Sequence, residues 1–402
     1  MFRSICEFIR IMGSRKKIRT HSHPKNILWL SWRDVKNPDS GGAEKVAIEV
    51  ASRFVRNGTN VTIFTSSFKG AKPQEFLREV KIIRRGNRLT CRIFAFLYYL
   101  RHQDLDLIID EINTIPFFSV FYAKDKTIVL IHQLAREYWF TQTIWPANHL
   151  GYWLEPFWLK LYKNRPTLAL SESTKTDLKK LGFKNVNIYR IGLDFKPQLI
   201  TKKEDCILFL GRLIPAKGPD QAINAFNIIH KSFPGIKLII TGRGKEKYVE
   251  KLKKLSKRHY LQKAIEFKDF VTEKEKINLL KKSKIVLIPS VREGWSLVAT
   301  EANATSCVPV AYNVPGLSNS IKNNKNGILV PPDYQSLAEG VLYLLRNESK
   351  RVQLANFGYK LSHQFSWDNC FADFKNFIFN FANTPPKIEY LGGDEAKKKT
   401  YF

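Results

Sequence analysis

The sequence predicts an α/β protein made of two doubly wound domains that face each other across a cleft. The chain has 402 residues, which is enough for two domains, and 44% of them are hydrophobic, so sizeable cores can be buried. Short apolar runs alternate with amphipathic stretches along most of its length. Continuous apolar strands separated by helices are typical of parallel sheets that are covered on both faces.

The first domain is predicted over residues 26–195. A helix is expected at 43–57, because Val46, Val50 and Phe54 recur at helical spacing. The predicted strands of this domain are the short apolar runs at 26–32, 60–66, 80–84, 105–110, 127–132, 166–171 and 186–191.

The apolar pattern lapses over residues 196–205, which we interpret as a linker. It resumes in a second domain, predicted over residues 206–365. Ligands of doubly wound sheets bind outside the carboxyl ends of the strands, so two such domains would form a cleft there. The predicted strands of the second domain are the runs at 206–211, 236–242, 264–270, 284–290, 308–312 and 326–332.

The ends of the chain differ in character from the domains. Residues 1–25 are basic, and their apolar run is too short and too charged for a signal peptide. Residues 366–382 are aromatic and predict a helix that packs back on the N-terminal domain. Residues 383–402 are polar and predict a mobile tail.

The charge balance indicates an anionic partner. Lys and Arg total 66 against 36 Asp and Glu, which gives a formal net charge of +30. Such a surplus favours binding to nucleic acid, to an acidic membrane face or to a phosphorylated substrate. The alternative is that the charge only makes a Lys-rich soluble surface. Nucleic acid is disfavoured, because the cations are spread along the chain and no RNA- or DNA-binding motif is present.

The cysteines and the hydropathy pattern favour a cytoplasmic protein. The five cysteines are scattered and show no CxxC spacing, so neither a disulfide framework nor a zinc site is expected. No stretch reaches the roughly 18 uninterrupted apolar residues of a spanning helix. We therefore expect a cytoplasmic protein, with peripheral association on the inner face of the membrane as a second expectation.

The first motif is NPDSGGAEK, which directly follows a predicted strand and precedes a predicted helix. Gly41 and Gly42 let the backbone approach a ligand closely, and the helix start that follows them offers free N–H groups to an anion. The alternative is a tight turn with a capping Ser40 or Asp39.

The second motif is LGRLIPAKG, at the end of another predicted strand. Arg212 and Lys217 lie five positions apart on this loop. Two cations at the carboxyl end of a strand can bind the concentrated charge of a diphosphate. The alternative is two solvated surface cations.

The third motif is REGWSLVATEANA, which also follows a predicted strand. Its Glu293 and Glu301 are eight positions apart, and residues 297–304 predict a helix. A carboxylate in this helix can accept hydrogen bonds from paired sugar hydroxyls, and the free N–H groups at the helix start can hold a phosphate. The alternative is a surface glutamate together with a capping glutamate.

The spacing of Glu293 and Glu301 matches the E-x7-E signature, and the chain resembles the retaining glycosyltransferases of family 4, which have the GT-B fold. The resemblance covers residues 26–382. It implies two Rossmann-like domains and transfer of a hexose-type sugar from a nucleotide-diphosphate sugar to a glycan or lipid-linked acceptor, with retention of anomeric configuration. The other motifs that carry it are GGAE (41–44), SESTKTDLKKLGF (171–183), IGLD (191–194), GRLIPAKG (211–218) and TGRG (241–244).

The resemblance also implies roles for individual residues. Arg212 and Lys217 would bind the donor diphosphate and stabilise the leaving group. Glu301 would bind the ribose and Glu293 the transferred sugar. His132 would contact the donor sugar from the first domain, and a satisfied core histidine is its alternative. The implied catalytic set is His132, Arg212, Lys217 and Glu293. The implied donor site comprises Gly41, Gly42, Arg212, Lys217, Gly242, Glu293, Gly294, Trp295, Ser296, Leu297 and Glu301.

Two departures from the family pattern concern sugar recognition. The family commonly has Gly-Phe-Gly after the first glutamate, where this chain has Gly294, Trp295 and Ser296. The family's Gly-Gly-x-x-Glu loop appears here as PGLSN, with Asn319 in place of the acid.

Neither a metal nor a cofactor is expected besides the nucleotide-sugar co-substrate. Arg212 and Lys217 can stabilise the departing diphosphate without a metal ion. The DLD sequence at 104–106 imitates a metal-binding D-x-D motif, but it precedes a predicted strand instead of ending one. From the family resemblance we expect a glycosyltransferase of polysaccharide biosynthesis.

The acceptor side is represented by two aromatic segments, 92–102 and 138–166, which carry Trp, Tyr and Phe beside cations. Such segments suit a membrane interface or a lipid-linked acceptor, and the alternative is core helices under the sheet. Together with the net charge, they favour an anionic membrane surface as a partner. The alternative functions are a GT-B-fold nucleotide-sugar epimerase and a non-catalytic nucleotide-sugar-binding protein.

Overall fold

The computed structural model describes residues 23–142 and 145–383. Most of the basic segment, residues 1–22, and the tail from residue 384 lie outside the described residues, as do the expectations about them. The described chain forms an eight-stranded sheet and a six-stranded sheet, each packed against helices. The predicted α/β class with two doubly wound domains is confirmed.

The N-terminal sheet is parallel apart from one edge strand. Its strands are β1 (Asn26–Leu30), β2 (Asn60–Thr65), β3 (Gln74–Leu77), β4 (Val80–Arg84), β5 (Leu107–Glu111), β6 (Thr127–Ile131), β7 (Thr167–Ala169) and β8 (Val186–Ile188). They lie in the order β3-β4-β2-β1-β5-β6-β7-β8, and only the β3–β4 pair is antiparallel. The helices of this domain are α1 (Gly42–Arg56), α2 (Cys91–Arg101), α3 (Tyr138–Gln142), α4 (Ala147–Lys160) and α5 (Glu172–Lys180).

Helices cover both faces of this sheet because its strands are apolar on both faces. Trp29 of β1 packs with Val50 of α1 on one face. Its neighbour Leu28 packs with Ala95 of α2 on the other face, where Leu159 of α4 also lies in the core. Successive strand residues point to opposite faces, so these contacts assign α1 to one layer and α2 and α4 to the other.

The sequence pattern did not predict β3. Its residues, QEFL, alternate between exposed and half-buried positions at the edge of the sheet. An antiparallel edge strand with one solvated face has no continuous apolar run, which is the signal that revealed the buried strands. Each other strand of the two sheets overlaps a predicted run, and α1 overlaps the predicted helix at 43–57.

The C-terminal sheet is entirely parallel. Its strands are β9 (Glu204–Leu210), β10 (Lys237–Thr241), β11 (Ile265–Lys268), β12 (Ser283–Ile288), β13 (Val308–Tyr312) and β14 (Ile328–Val330). They lie in the order β11-β10-β9-β12-β13-β14, and β9 begins within the segment interpreted as a linker. The helices are α6 (Pro219–Ser232), α7 (Glu246–Arg258), α8 (Glu273–Lys282), α9 (Leu297–Asn303), α10 (Leu317–Ser320), α11 (Tyr334–Arg346) and α12 (Glu348–Ser362).

A last helix, α13 (Trp367–Asn383), lies on the N-terminal domain. The ring centroids of Phe374 and Trp29 are 5.9 Å apart, and those of Phe371 and Phe54 are 4.9 Å apart. α13 therefore shares the sheet face of α1 and connects the two domains a second time. No helix within the described residues combines the length and the apolar character needed to cross a membrane.

The carboxyl ends of the two sheets face each other. His132 directly follows β6, and Gly294 lies on the loop after β12. A Cβ on Gly294 would lie 2.4 Å from the carbonyl oxygen of His132, so the two loops touch. The junction between the domains is thus where a doubly wound sheet binds its ligands.

Candidate active site

The two predicted diphosphate cations lie on the loop that follows β9. Lys217 ends a short 3-10 turn, and its Nζ lies 2.5 Å from Oε1 of Glu293. The next residue, Gly218, has φ of +67°, and a Cβ there would lie 2.4 Å from the carbonyl oxygen of Pro289. Glycine therefore lets this loop come close enough to the end of β12 for the Lys217–Glu293 pair to form.

Arg212 and Lys217 differ in how their charge is compensated. The half-buried Arg212 has no hydrogen bond or ion pair from its guanidinium group within the described residues. Burial lowers the pKa of Lys217, but the Glu293 carboxylate more than offsets this effect, so that pKa is raised and the ammonium stays charged. A paired cation beside an uncompensated one can accept the concentrated charge of a diphosphate.

Glu301 is held in place by a lysine that the sequence did not indicate. The residue is 6% exposed, and its Oε1 accepts a hydrogen bond of 2.6 Å from Nζ of Lys276 in α8. Burial raises the pKa of Glu301, and Lys276 lowers it in part, so the net shift is upward. The lysine thus holds the carboxylate in one position in the second turn of α9.

Glu301 belongs to a cluster of mixed charge at the domain junction. Within the described residues, one group of side chains has spacing that suits a metal ion, with carboxylate oxygens of Asp194, Glu273 and Glu301 within 4.8 Å of one another. Lys276 also contacts Glu273 at 2.8 Å, and Lys45 pairs with Asp194. Two ammonium groups therefore already balance much of the charge that would attract a cation.

The glycine loop before α1 reaches the second domain. A Cβ on Gly42 would lie 2.9 Å from Cδ1 of Leu297, at the start of α9. Glu44, which is 1% exposed, accepts hydrogen bonds from the N–H of Gly41 (2.7 Å) and from Nε of Arg33 (2.8 Å). Glu44 and Arg33 were not among the predicted site residues, although an acid three positions after a helix cap is a known capping signal.

Glu293 and Gly294 are enclosed by two other loops. The N–H of Glu293 donates to the carbonyl oxygen of Pro315 at 3.1 Å. Gly316 has φ of +84°, and a Cβ there would lie 1.9 Å from the carbonyl oxygen of Glu293. On the opposite side Gly294 faces the backbone of His132. A larger residue at either glycine would push this loop out of position.

His132 contributes its backbone to the junction, while its ring lies in a buried network. The residue is 6% exposed. Nδ1 lies 2.6 Å from the hydroxyl of Tyr189, and Nε2 lies 3.3 Å from Oε1 of Glu111. Its carbonyl oxygen accepts a hydrogen bond of 3.2 Å from Oγ1 of Thr174. Both ring nitrogens have partners in the N-terminal domain, and the catalytic role of His132 stays a prediction.

Gly242, Trp295 and Ser296 brace the loops of the site. A Cβ on Gly242, which has φ of +147°, would lie 1.7 Å from a carbonyl oxygen of the loop after β9. Oγ of Ser296 accepts the N–H of Ala299 at 3.2 Å and caps α9. Nε1 of Trp295 donates to Oγ1 of Thr300 at 2.9 Å. Their direct contact with a donor stays a prediction.

Arg292 ties the two domains together, and the sequence analysis did not single it out. It is 8% exposed, its Nη1 lies 3.0 Å from a carboxylate oxygen of Glu137, and its Nη2 pairs with Asp177. Its carbonyl oxygen accepts a hydrogen bond of 3.0 Å from the hydroxyl of Tyr138. All three partners belong to the N-terminal domain, so Arg292 fixes the position of the Glu293 loop against that domain.

The N-terminal wall of the cleft carries two arginines on one indole ring. Cζ of Arg33 lies 4.2 Å from the ring centroid of Trp32, and Cζ of Arg88 lies 4.6 Å from it. Arg33 pairs with Glu44, whereas Arg88 has no ion pair within the described residues and reaches only Oγ1 of Thr114 at 3.5 Å. Burial and the charge of Arg33 lower the pKa of Arg88. This wall can accept an anionic group.

The structure also gives the positions of Asn319 and of the DLD sequence. Asn319, which replaces the family's acid, accepts the N–H of Ser173 at 3.2 Å and so links the domains. Asp106 of the DLD sequence accepts the N–H groups of Lys25 and Asn26 at 2.8 and 3.0 Å. Because Asn26 begins β1, the DLD sequence lies at the edge of the sheet opposite the cleft.

The chain matches two protein families along most of its length. Residues 191–361 match the family described as Glycosyl transferases group 1, and residues 40–192 match Glycosyltransferase Family 4. An uncharacterized glycosyltransferase of Haemophilus influenzae is 26% identical over 354 residues, which cover 84% of this chain and 96% of that protein. A D-inositol 3-phosphate glycosyltransferase of Corynebacterium urealyticum is 28% identical over 167 residues, which cover 40% of this chain and 39% of that protein.

Solved structures share the same architecture. Sucrose-phosphate synthase from Thermosynechococcus elongatus has a TM-score of 0.75 at 17% identity, covering 89% of this chain and 98% of that one. Anabaena HepE, solved with UDP and glucose, has a TM-score of 0.70 at 18% identity, covering 89% of this chain and 100% of that one. At such identities these likenesses show the fold, which is GT-B.

The two-domain fold and the family matches define a GT-B glycosyltransferase. The chain belongs to the group 1 glycosyltransferases, with an N-terminal domain of the family 4 type, and the predicted family resemblance is confirmed.

Proposed function

We propose that the protein transfers a hexose from a nucleotide-diphosphate sugar to a glycan or lipid-linked acceptor, with retention of configuration and without a metal ion. One observation carries the proposal. Lys217 pairs with Glu293 beside an uncompensated Arg212, on the loops where the C-terminal domain touches the N-terminal one. Such an arrangement suits a ligand that presents a sugar and a diphosphate together.

The charges explain how the transfer would proceed. When the bond between the anomeric carbon and the diphosphate oxygen breaks, its electron pair stays on the diphosphate, where Arg212 and Lys217 stabilise the developing charge. The acceptor hydroxyl bonds to the same face of the anomeric carbon, and its proton passes to the departing phosphate oxygen. Because both bonds change on one face, the configuration is retained.

The comparisons favour particular substrates. A structural neighbour was solved with UDP and glucose, so a UDP-sugar is the first donor to test. Another neighbour, WaaG, is a glycosyltransferase involved in lipopolysaccharide biosynthesis, which favours a glycan or lipid-linked acceptor and a role in polysaccharide biosynthesis. Arg33 and Arg88 would then contact an anionic group of the acceptor. The scattered cysteines favour a cytoplasmic protein, and the net charge of +30 favours its peripheral binding to an anionic membrane.

A thermal-shift screen of nucleotide sugars tests the donor, because a ligand of the folded state raises the melting temperature by mass action. The stabilising donor is then incubated with and without acceptor, and released nucleoside diphosphate and product are measured. An epimerase would release nucleoside diphosphate or convert the sugar with no acceptor present. Release that depends on acceptor supports the transferase.

The variant Glu301→Ala should lose the donor-dependent thermal shift and the transfer activity. Glu250→Ala, which removes an exposed carboxylate of α7, is the matched control and should behave like the unchanged protein. Unchanged donor shift and transfer by Glu301→Ala would remove Glu301 from the proposed donor site. A donor-dependent thermal shift without any transfer by the unchanged protein would contradict the proposal and favour a non-catalytic nucleotide-sugar-binding protein.

A further inference from the structure

The outer side of α4 is apolar although it faces solvent. Leu150, the adjacent Trp153 and Leu154, Phe157 and Leu161, which directly follows the helix, recur every three or four residues and form one stripe. Trp153 is 68% exposed and Phe157 65% exposed. The buried side of the helix is a different one, which contains residues 151, 155 and 159. This stripe is therefore additional to the surface that α4 needs for packing on the sheet.

Helix α2 repeats this arrangement. Its Ile93, Phe94, Leu97 and Leu100 are exposed, while the buried residues lie at 91 and 95. Ile93 is 61% exposed and Leu100 50% exposed. The sequence left open whether the aromatic segments 92–102 and 138–166 were core helices. The structure gives each helix a buried side and a second apolar side that no described residue covers.

The two stripes lie on the same side of the N-terminal domain. α2 and α4 cover the same face of the sheet, and the segment 118–122 lies between them. Tyr122 packs against Phe96 of α2 at 5.1 Å between ring centroids, and Val120 packs into the core under α4. Phe121 is 67% exposed between the helices. Together the exposed apolar residues of α2, segment 118–122 and residues 150–161 form one outer apolar face.

Cations outnumber acids around this outer apolar face, where the exposed acids are Asp104 and Asp125 near the tyrosines of α2. α2 carries no acidic residue, and the single carboxylate of α4, Glu155, is buried. Arg101, Lys124, Lys160 and Lys163 are exposed near its margins, and none has an ion pair within the described residues. Apolar and aromatic side chains bordered by an excess of unpaired cations match the layered chemistry of an anionic membrane surface.

We infer that the outer apolar face docks the protein on an anionic lipid bilayer, with its apolar side chains in the interfacial layer and its cations at the headgroups. This inference rests on the proposed peripheral membrane association and names the surface responsible. A large exposed apolar surface marks an interaction site in soluble proteins. Lipid is favoured over a second copy of the chain, because two like-charged margins would repel each other.

The test measures co-sedimentation of the full chain with phosphatidylcholine vesicles, with and without phosphatidylglycerol. The double variant Trp153→Ser/Phe157→Ser should bind the anionic vesicles at least tenfold more weakly. Phe76→Ser/Tyr260→Ser, which removes exposed aromatics elsewhere, should bind like the unchanged protein. Equal binding by the α4 variant, or equal loss by the control, would overturn the inference. Lys160→Gln/Lys163→Gln should weaken binding only to vesicles that contain phosphatidylglycerol.

Two further measurements separate this inference from its rivals. Light scattering of the free protein should give the same mass before and after the α4 substitutions, since a dimer that dissociates would instead make the face an interface between copies. The donor-dependent thermal shift should be the same in the α4 variant as in the unchanged protein. Loss of vesicle binding with an intact donor shift supports the docking surface. Absence of any donor shift in the unchanged protein would refute the proposed function alone.

Discussion

The two walls of the cleft are built differently. On the C-terminal wall, Lys217 pairs with Glu293 and Lys276 with Glu301, while Arg212 has no ion pair within the described residues. On the N-terminal wall, Arg88 has no ion pair within the described residues, and the ring of His132 is bound up in a buried network. Each wall therefore keeps one cation without an ion pair, but the C-terminal wall also presents two carboxylates held by lysines, whereas the N-terminal wall presents two arginines on an indole ring.

The largest effect on catalysis should come from removing the charge of Lys217 on the C-terminal wall. Lys217→Ala removes a charge that we propose stabilises the leaving group, and loss of one such stabilising group costs about 10²–10³ in kcat. Single-turnover kinetics with saturating donor measure the chemical step. Lys254→Ala, at an exposed position of α7, should leave kcat unchanged. A kcat for Lys217→Ala within twofold of the unchanged protein would show that Lys217 does not stabilise the leaving group.

Contact between the two walls can be disturbed at Gly294. In Gly294→Ala the new Cβ would lie 2.4 Å from a backbone oxygen of His132, so the loops must separate. Overpacking of this kind costs about 1–3 kcal/mol, which corresponds to a loss of kcat/KM of about 5- to 150-fold when the whole cost falls on the transition state. Gly235→Ala is the control, because nothing lies within 4 Å of a Cβ there. Equal kinetics for both variants would indicate that the loops need not touch during turnover.

The N-terminal wall is tested separately with Arg88→Ala. If Arg88 binds an anionic group of the acceptor, the KM for acceptor should rise about tenfold, as expected for one lost charge-assisted hydrogen bond. The donor-dependent thermal shift should not change. Arg56→Ala, at the exposed end of α1, controls for the loss of one positive charge. A change in donor affinity instead of acceptor KM would assign Arg88 to the donor side.

A smaller, pH-dependent effect should come from Glu301. Its pKa is raised above the ordinary 4.5 by burial, so the carboxylate gains a proton at a higher pH than an exposed glutamate would. Donor affinity should therefore fall severalfold as the pH is lowered towards 4.5, because a protonated carboxyl accepts hydrogen bonds poorly. Donor titrations at several pH values measure this. Glu301→Gln has no proton to gain, and its weaker donor affinity should stay constant over this range.

The raised pKa of Glu301 also affects folding stability, but in the opposite direction: lowering the pH should weaken donor binding and raise the stability of the fold. A carboxyl with a raised pKa binds more protons in the folded state, so folding stability due to Glu301 falls as the pH rises from 4.5 through the raised pKa. Urea unfolding at several pH values should show this slope in the unchanged protein and a flatter one in Glu301→Gln. Identical slopes would mean that Lys276 compensates Glu301 completely.

Much of the fold was predictable because buried parallel strands carry a strong local signal. Runs such as 127–132 and 284–290 are apolar on both faces and stop at the loops that hold His132 and Glu293. The edge strand β3 lacked that signal. Arg292 could not be found because its partners, Glu137 and Asp177, lie more than a hundred residues away in the sequence.

The amino-acid sequence by itself determined the two parallel sheets and the loops at their carboxyl ends, because apolar periodicity and glycine-rich turns act locally. It therefore indicated Arg212, Lys217, Glu293 and Glu301 as neighbours at one edge. Only the tertiary structure decided which charges pair across that edge, that the ring of His132 faces Tyr189 and Glu111, and that α2 and α4 leave an apolar side uncovered. These outcomes depend on contacts between distant segments, and an apolar helix looks the same in sequence whether its second side is buried or exposed.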